Sequence, residues 1–161
     1  AKRTGSKLSI IESGRKINEN MPQHVIELTT DAFSECNISL EKSEILILGI
    51  SYKPNIKDVQ LSPAEEIIKK LQKLGANIHI YDPYFFSSEV FGIKVEDNLQ
   101  EILPKMNAAI IATGHDYFKK IQISSFTNMK NSILIDTRGI IEPHLIKQHN
   151  IIFRGLGRGG F

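Results

Sequence analysis

Three short apolar runs constrain the fold of this chain more than any other feature. They occupy residues 45–50, 108–112 and 132–136. Each is almost continuous in apolar residues, with several β-branched ones, which is the pattern of a strand buried on both faces. Strands of this kind need helices on both sides of their sheet. The sequence therefore predicts an α/β fold.

The segments between these runs carry helix signals. Ser62 can cap a helix, Pro63 suits its first position and Glu65 can close a capping box. Apolar residues then recur on one face as far as Leu74, before Gly75 can end the helix in a left-handed conformation. Further strands are predicted at residues 77–81, 91–95 and 151–153, and short helices at residues 97–103 and 143–148. This alternation predicts a Rossmann-like, doubly wound parallel sheet.

A long amphipathic helix is predicted ahead of the sheet, over residues 6–35. Its apolar residues recur at three- and four-residue spacing and form one stripe. Pro22 should kink this helix or begin a second one. The stripe can cover either its own domain or another chain. We expect residues 1–40 to form this helix and a linker, and residues 41–161 to form the α/β domain.

Composition excludes several classes of protein. The 161 residues suffice for one ordinary domain, and 20 Lys+Arg against 18 Asp+Glu leave a net charge of +2. That balance argues against a dedicated nucleic-acid or membrane-surface protein. Cys36 is the only cysteine, which excludes a disulfide framework and a cysteine-rich zinc site. The five histidines lack metal-ligand spacing, and without a visible signal peptide or membrane span the default expectation is a cytoplasmic location.

The carboxyl ends of the predicted strands indicate where a ligand would bind. In a doubly wound sheet, ligands lie where the strand order reverses; for the order 3-2-1-4-5-6, the first and fourth strands flank that crevice. The loops there, residues 51–62, 113–116 and 137–139, carry Lys53, Thr113, His115 and Arg138. Two cations beside a helix start at Ser62 favour an anion such as phosphate. His115 could line the crevice or cap the next helix.

The usual dinucleotide signature is missing. After Gly49 the chain continues Ile50-Ser51-Tyr52-Lys53-Pro54, not G-x-G-x-x-G, so its backbone cannot approach a pyrophosphate in the usual way. Asp82 stands where an NAD-binding domain keeps its ribose acid. Without the glycine loop, Asp82 is interpreted as a turn former before Pro83. NAD is therefore not expected to be the main ligand of this domain.

Several loop motifs occur in a distinctive order. They are Leu48-Gly49-Ile50-Ser51-Tyr52-Lys53-Pro54-Asn55, Asp58-Val59, Ser62-Pro63-Ala64, Tyr81-Asp82-Pro83, Ala112 through Asp116, and Asp136-Thr137-Arg138. Together they resemble the C-terminal, UDP-binding domain of the UDP-glucose/UDP-N-acetylmannosamine (GDP-mannose) dehydrogenase family. Residues 17–22 resemble the second half of the long central helix of that family, so the resemblance covers almost the whole chain.

The resemblance implies a chemistry and a set of contacts. Members of this family oxidise the C6 alcohol of a UDP-sugar to a carboxylate in two NAD-dependent steps, through covalent intermediates on a cysteine. By resemblance, Lys53 with Tyr52 contacts the sugar–phosphate side of the substrate, and Arg138 reaches toward the nucleotide. Gln60 stands where many members have an arginine that approaches NAD. The implied partners are the UDP-sugar and a second copy bound through the leading helix, and NAD would be held mainly by an upstream domain.

The catalytic parts of the family have no counterpart here. Its reactive cysteine lies in a Cys-Phe/Ile-Pro segment before the central helix, whereas Cys36 follows Glu35 and has no basic neighbour in sequence. We therefore expect no catalytic residue, no metal ligand, and a C-terminal portion of a longer dehydrogenase that is inactive alone. UDP-N-acetylmannosamine is the favoured substrate; the alternatives are a UDP-glucose dehydrogenase and a stand-alone nucleotide-binding sensor.

The end of the chain, residues 154–161, is rich in glycine and arginine. Such a composition also occurs in RNA-binding segments. Because this stretch is short and follows a nearly neutral domain, we expect a flexible or truncated terminus instead.

Overall fold

The computed structural model describes residues 9–157 and 159–160, without side-chain detail for residues 9–13, 15–18 and 159–160. The helices are α1 (Ser9–Glu35), α2 (Pro63–Lys73), α3 (Leu99–Ile102) and α4 (Pro143–Ile146). The strands are β1 (Glu44–Leu48), β2 (Asn77–Tyr81), β3 (Glu89–Val90), β4 (Ile93–Lys94), β5 (Ala108–Ile111), β6 (Ile133–Asp136), β7 (Ile152–Gly155) and β8 (Gly159–Gly160). Short 3-10 turns lie at Leu103–Lys105, Phe118–Lys120 and Ile123–Asn128. The predicted first turn of the leading helix, residues 6–8, lies outside the described residues.

The main sheet has the strand order β2-β1-β5-β6-β7-β8. The four pairings from β2 to β7 are parallel, and β8 alone runs antiparallel to its neighbour. The chain moves from β1 outward to β2, then returns to β5 on the other side of β1. The predicted doubly wound sheet is confirmed, and its order reverses between β1 and β5.

Strand residues alternate between two helical layers. Ile45 and Ile47 of β1 face the layer that contains α1 and α2, whereas Leu46 and Leu48 face the layer of α3, the 3-10 turns and α4. All four side chains are fully buried. Covering both faces is the reason why the strands read as continuous apolar runs.

The predicted strand at residues 91–95 is instead a hairpin. β3 and β4 pair antiparallel around Phe91 and Gly92, which both have positive φ, and only Val95 then pairs with Ile80 of β2 as a parallel bridge. A two-residue turn with positive φ at both positions matches the twist of a tight hairpin. The hairpin lies beside β2, the place expected for the third strand.

Helix α1 continues through Pro22, so no second helix begins there. A proline inside a helix costs about 3 kcal/mol, because it removes one hydrogen bond and crowds the preceding turn. Val25, Ile26 and Phe33 are buried in the core layer that α1 shares with α2, and this burial offsets the cost. The last turns of α1 therefore cover the sheet of their own domain. No helix in the described ranges is long and apolar enough to cross a membrane.

The glycine-rich end begins inside the sheet. Arg154 lies within β7, and Gly159–Gly160 pairs back onto that strand as β8. The Arg154 guanidinium bonds the carboxylates of Asp31 and Glu35 on α1. Arg154 and these two glycines therefore take part in the sheet, and the expectation of a flexible or truncated terminus stays a prediction.

Helix α2 begins at Pro63 and is capped by Ser62, whose Oγ accepts the Ala64 N–H. The predicted capping box does not form, because the Ser62 N–H donates to the Val59 carbonyl and the Glu65 carboxylate bonds Lys69. Leu74 was expected on the buried face but is half exposed, since it follows the last helical turn as the C-cap.

Candidate binding site at the carboxyl edge of the sheet

The loops that follow β1, β5 and β6 meet at the carboxyl edge of the sheet. Gly49 ends β1 with a φ of +82°, and its N–H donates to the Tyr81 carbonyl of β2. A Cβ added at Gly49 would lie 2.7 Å from the Cβ of Thr113, on the loop after β5. The Thr113 hydroxyl donates to the Ser51 carbonyl across 2.6 Å. The first two loops are thus packed directly against each other at the switch point.

Lys53 lies on a tightly bonded stretch of the β1–α2 loop. The Ser51 hydroxyl donates to the Lys53 carbonyl across 3.0 Å, and the Tyr52 N–H donates to the Asp58 carbonyl across 2.8 Å. The Lys53 ammonium lies over the Tyr52 ring, 5.7 Å from its centroid. Both side chains are exposed, so the loop offers a cation and an aromatic face to a ligand.

Asn55 joins this loop to the two neighbouring ones. Its side-chain Nδ2 donates to Asp116 Oδ2 (2.7 Å), and its Oδ1 accepts the Asp116 N–H and the Tyr84 hydroxyl. Asn55 has a φ of +62°, a conformation that asparagine tolerates better than most residues. Hydrogen bonds from Lys119 and Asn55 hold the pKa of Asp116 below its usual range, so this carboxylate is ionised at neutral pH.

Asp82 does more than form the predicted turn. It is fully buried at the end of β2, and its Oδ1 accepts the Tyr84 N–H in a turn. Its Oδ2 accepts the Ile50 N–H (2.9 Å) and contacts His115 Nε2 (3.1 Å). Asp82 therefore ties the ends of β1, β2 and β5 together. An aspartate directly after a buried strand is the sequence signal that pointed here, but its partners lie 32 and 33 residues away.

Asp136 fixes the loop that follows β6, and it does so through local hydrogen bonds. Its carboxylate accepts three backbone N–H groups, those of Arg138, Gly139 and Ile141, at 2.8–2.9 Å. Gly114 lets the β5 loop approach closely, because an added Cβ would lie 3.3 Å from the Cβ of Arg138. The backbone that carries Arg138 is thereby held by these hydrogen bonds, and Arg138 is an exposed residue.

Two depressions lie beside the start of α2. The outer groove, about 620 Å³, is lined by Glu19, Pro22, Tyr52, Leu61, Ser62, Pro63, Glu65, Glu66 and Lys69. The inner cavity, about 90 Å³, is lined by Met21, Pro22, Val25, Pro63, Ile67, Ala112, Thr137, Arg138 and Leu156. Pro22 and Pro63 border both, so α1 forms one wall of each.

The predicted site residues do not all line one depression. Tyr52 lines the outer groove and Arg138 lines the inner cavity, on opposite sides of Pro22 and Pro63. Lys53 lies next to Tyr52, outside the lining of either depression. Gln60 is exposed and also lines neither; its N–H donates to Asp58 Oδ1. Within the described part of the chain, neither Lys53 nor Arg138 forms an ion pair.

The start of α2 does not contribute the anion site that the sequence suggested. Ser62 already occupies the Ala64 N–H, and Pro63 has no N–H to offer. Glu65 and Glu66 place two carboxylates in the first turn, where they satisfy the positive end of the helix dipole. An anion would be repelled there, so the favourable positions for phosphate are those near Lys53 and Arg138.

The residues present do not fit a dinucleotide bound by this domain in the usual way. The β1–α2 connection holds no glycine after Gly49, and Gly49 itself is packed against Thr113. Asp82 stands where NAD-binding domains keep their ribose acid, but it is fully buried with both oxygens engaged. Within the described residues, the β1–α2 loop therefore lacks the glycine-rich backbone that holds a dinucleotide in the usual way, and the Asp82 carboxylate is not free to bond its ribose.

Cys36 has the wrong environment for a nucleophile. Burial and the Glu35 carboxylate raise the pKa of the Cys36 thiol, and the nearby Arg154 only partly opposes this. A raised pKa leaves little thiolate at neutral pH. Across the described residues, no three His, Cys, Asp or Glu side chains are grouped so that they could hold a metal ion.

The fold and these loops define a Rossmann-like α/β domain with a candidate anion site at its switch point. Residues 46–143 match the model of the UDP-glucose/GDP-mannose dehydrogenase family, UDP binding domain. The chain belongs to this family, and the resemblance seen in the loop motifs is confirmed.

Two curated relatives illustrate the match. The UDP-N-acetyl-D-mannosamine dehydrogenase of Pyrococcus horikoshii is 32% identical over 151 residues, covering 93% of this chain and 34% of the relative. The UDP-glucose 6-dehydrogenase of Bacillus subtilis is 28% identical over 163 residues, covering 98% of this chain and 34% of the relative. The chain thus spans about a third of the length of the curated relatives it matches.

Solved structures agree with the fold. The UDP-D-ManNAc dehydrogenase from Pyrococcus horikoshii superposes with a TM-score of 0.84 and 31% identity, over 96% of this chain and 35% of that one. An NDP-N-acetyl-D-galactosaminuronic acid dehydrogenase from Methanosarcina mazei superposes with a TM-score of 0.85 and 25% identity, over 96% of this chain and 33% of that one.

Proposed function

We propose that this chain is the UDP-sugar-binding part of an NAD-dependent nucleotide-sugar 6-dehydrogenase. The observation that carries the proposal is the pair of exposed cations, Lys53 and Arg138, on rigid loops after β1 and β6. These loops border the β1–β5 switch point, where ligands of doubly wound sheets bind. The membership in a UDP-binding domain family supplies the ligand class.

The charges suit a nucleoside diphosphate. A diphosphate is an anion, and charge-assisted hydrogen bonds to it are about twice as strong as neutral ones. Lys53 would act as a point charge on one phosphate, and Arg138 can fork across two oxygens. Tyr52 supplies a ring face beside Lys53 for the sugar side of the ligand.

Among nucleotide sugars we favour UDP-N-acetylmannosamine, which would give the corresponding uronic acid. Relatives from Pyrococcus horikoshii and Methanococcus maripaludis, at 30–32% identity, carry that name, against 28% for the UDP-glucose enzyme of Bacillus subtilis. UDP-glucose is the alternative substrate. Turnover of both sugars by an enzyme of the relatives' length containing this sequence would decide, and a preference for UDP-glucose would overturn our choice.

The proposed enzyme would also have a defined domain organisation. Residues 1–40 would be the second half of a central helix with its linker, and residues 41–161 the UDP-binding domain. The helix would pair with a second copy of the chain. NAD would bind mainly to a separate domain, with Gln60 as the contact from this side; the exposed position of Gln60 supports that role.

Calorimetry on the 161-residue chain tests the binding site. We expect weak binding of UDP without any NAD reduction, and a loss of affinity of about tenfold or more in Lys53→Ala and in Arg138→Ala, because each removes a charge-assisted bond. Lys69→Ala, which removes a cation from the outer groove, is the control and should keep the parental affinity. Equal UDP affinity in the parent, Lys53→Ala and Arg138→Ala would refute the site.

A further inference from the structure

His115 is enclosed at the end of β5, in the middle of the three loops. Its side chain is completely buried. The rings of Tyr84 and Phe118 lie against it, with centroids 5.0 and 5.4 Å from that of the imidazole. Complete burial and these two aromatic contacts restrict the movement of the imidazole.

Both ring nitrogens of His115 are engaged. Nδ1 accepts the Asn55 N–H across 2.8 Å, so this nitrogen carries no proton. The ring proton is accordingly on Nε2, which lies 3.1 Å from Asp82 Oδ2 and 3.1 Å from Ser51 Oγ. The Asp82 carboxylate thus orients the imidazole. In functional histidines generally, a hydrogen bond at one ring nitrogen sets the tautomer and the role of the other nitrogen.

The two loop residues that bond His115 lie on either side of Lys53. Ser51 lies two residues before it, and the Ser51 hydroxyl donates a hydrogen bond to the Lys53 carbonyl. Asn55 follows it, with its left-handed backbone secured by the bond to His115 and by Asp116. One buried side chain is therefore bonded to the Ser51 hydroxyl before the cation and to the Asn55 backbone N–H after it.

We propose that His115, oriented by Asp82, is a positioning residue for the Lys53 ammonium in nucleotide binding. The inference rests on the proposed function of Lys53. His115 cannot contact the ligand itself, since it is fully buried and its two nitrogens are bonded within the protein. Its effect is to reduce the number of loop conformations that must be given up when a phosphate binds.

A double-mutant cycle tests this coupling by UDP calorimetry on the full 161-residue chain. His115→Gln can keep a donor toward Asp82 but loses the acceptor for Asn55, and should weaken UDP binding about fivefold; Lys53→Met should weaken it about tenfold or more. In the Lys53→Met background, His115→Gln should change the affinity by less than about twofold, because the cation it positions is gone.

Two further variants distinguish a loss of loop positioning from a general loss of stability. Ser51→Ala removes only the hydroxyl that joins His115 to the Lys53 carbonyl, and its smaller loss of affinity should also vanish in the Lys53→Met background. Phe126→Leu shortens a buried core residue that lies outside the three loops in sequence, and should lower the melting temperature while leaving UDP affinity unchanged.

The outcomes separate the two proposals. The positioning role would be overturned if the loss of UDP affinity in His115→Gln or Ser51→Ala were as large in the Lys53→Met background as in the parent. It would also be overturned if neither substitution weakened UDP binding in the parent. Both results would leave the proposed site intact. A parent chain without measurable UDP binding would overturn the proposed function, and the positioning role with it.

Discussion

At the scale of single residues, the candidate site depends on one backbone position that only glycine permits. Gly49 turns the chain out of β1 with a φ of +82°, in the left-handed region. An added Cβ would lie 2.7 Å from the Thr113 Cβ and 2.8 Å from the Thr113 carbonyl oxygen. Close approach of the β1 and β5 loops therefore requires glycine for two separate reasons, the φ angle and the space.

Gly49→Ala should lower the free energy of unfolding by about 2–4 kcal/mol, since a left-handed alanine costs about 1–2 kcal/mol and the contact with Thr113 adds to it. Gly92→Ala is the matched control: Gly92 has a φ of +76° but no atom within 4 Å of its added Cβ. It should cost only about 1 kcal/mol. Urea unfolding followed by circular dichroism measures both, and equal losses would contradict the close approach.

Sequence reasoning proposed the exposed residues of the candidate site but undervalued the buried ones, and the roles of the exposed residues stay predictions. Lys53 and Arg138 could be predicted because strand ends and charge are visible in the sequence. The function of Asp82 in joining loops could not, since its partners Ile50 and His115 lie 32 and 33 residues away. The structural role of a buried polar residue depends on partners that are distant in sequence, and a single sequence does not show which residues these are.

At the scale of elements, α1 is held on the sheet by apolar burial and by one arginine. The Arg154 Nε lies 2.9 Å from Asp31 Oδ2, and its guanidinium also bonds Glu35. Burial disfavours the charged form, but the bonds to Glu35 and Asp31 outweigh it and raise the pKa of Arg154 above its usual value. Strand β7 is thereby joined to the helix that forms one wall of both depressions.

Arg154→Met keeps most of the apolar stem and removes the fork to α1. We expect a loss of about 1–2 kcal/mol in the free energy of unfolding, together with faster amide exchange in the last two turns of α1. Lys69→Met breaks an exposed pair on α2 and should cost less than about 0.5 kcal/mol. Unchanged exchange in α1 after Arg154→Met would show that burial alone holds the helix.

Elements were predictable where burial on both faces dominated. The runs that became β1, β5 and β6 were recognised for that reason. The β3–β4 hairpin was not, because its turn places Phe91, a residue without a preference for positive φ, at +55°. Leu74 was misplaced because the helical period does not show where the last turn ends.

At the scale of the whole molecule, the strand order brings distant loops to one edge. The segment around Lys53 and the segment around Arg138 are more than eighty residues apart, yet the sheet order β1-β5-β6 leaves only one strand between their parent strands. The central claim is that these loops form one site for a nucleoside diphosphate.

Amide chemical shifts of the ¹⁵N-labelled chain during a UDP titration test this claim most directly. We predict saturable shifts in residues 51–58, 113–116 and 137–141, and none at His79 and Glu96, which pair beside the middle of β2, outside these loops. Another groove, of about 390 Å³, is lined by Gln100, Tyr117, Lys120, Ile121, Gln122 and Ser125. Shifts confined to that groove, with residues 51–58 and 137–141 unmoved, would contradict the account.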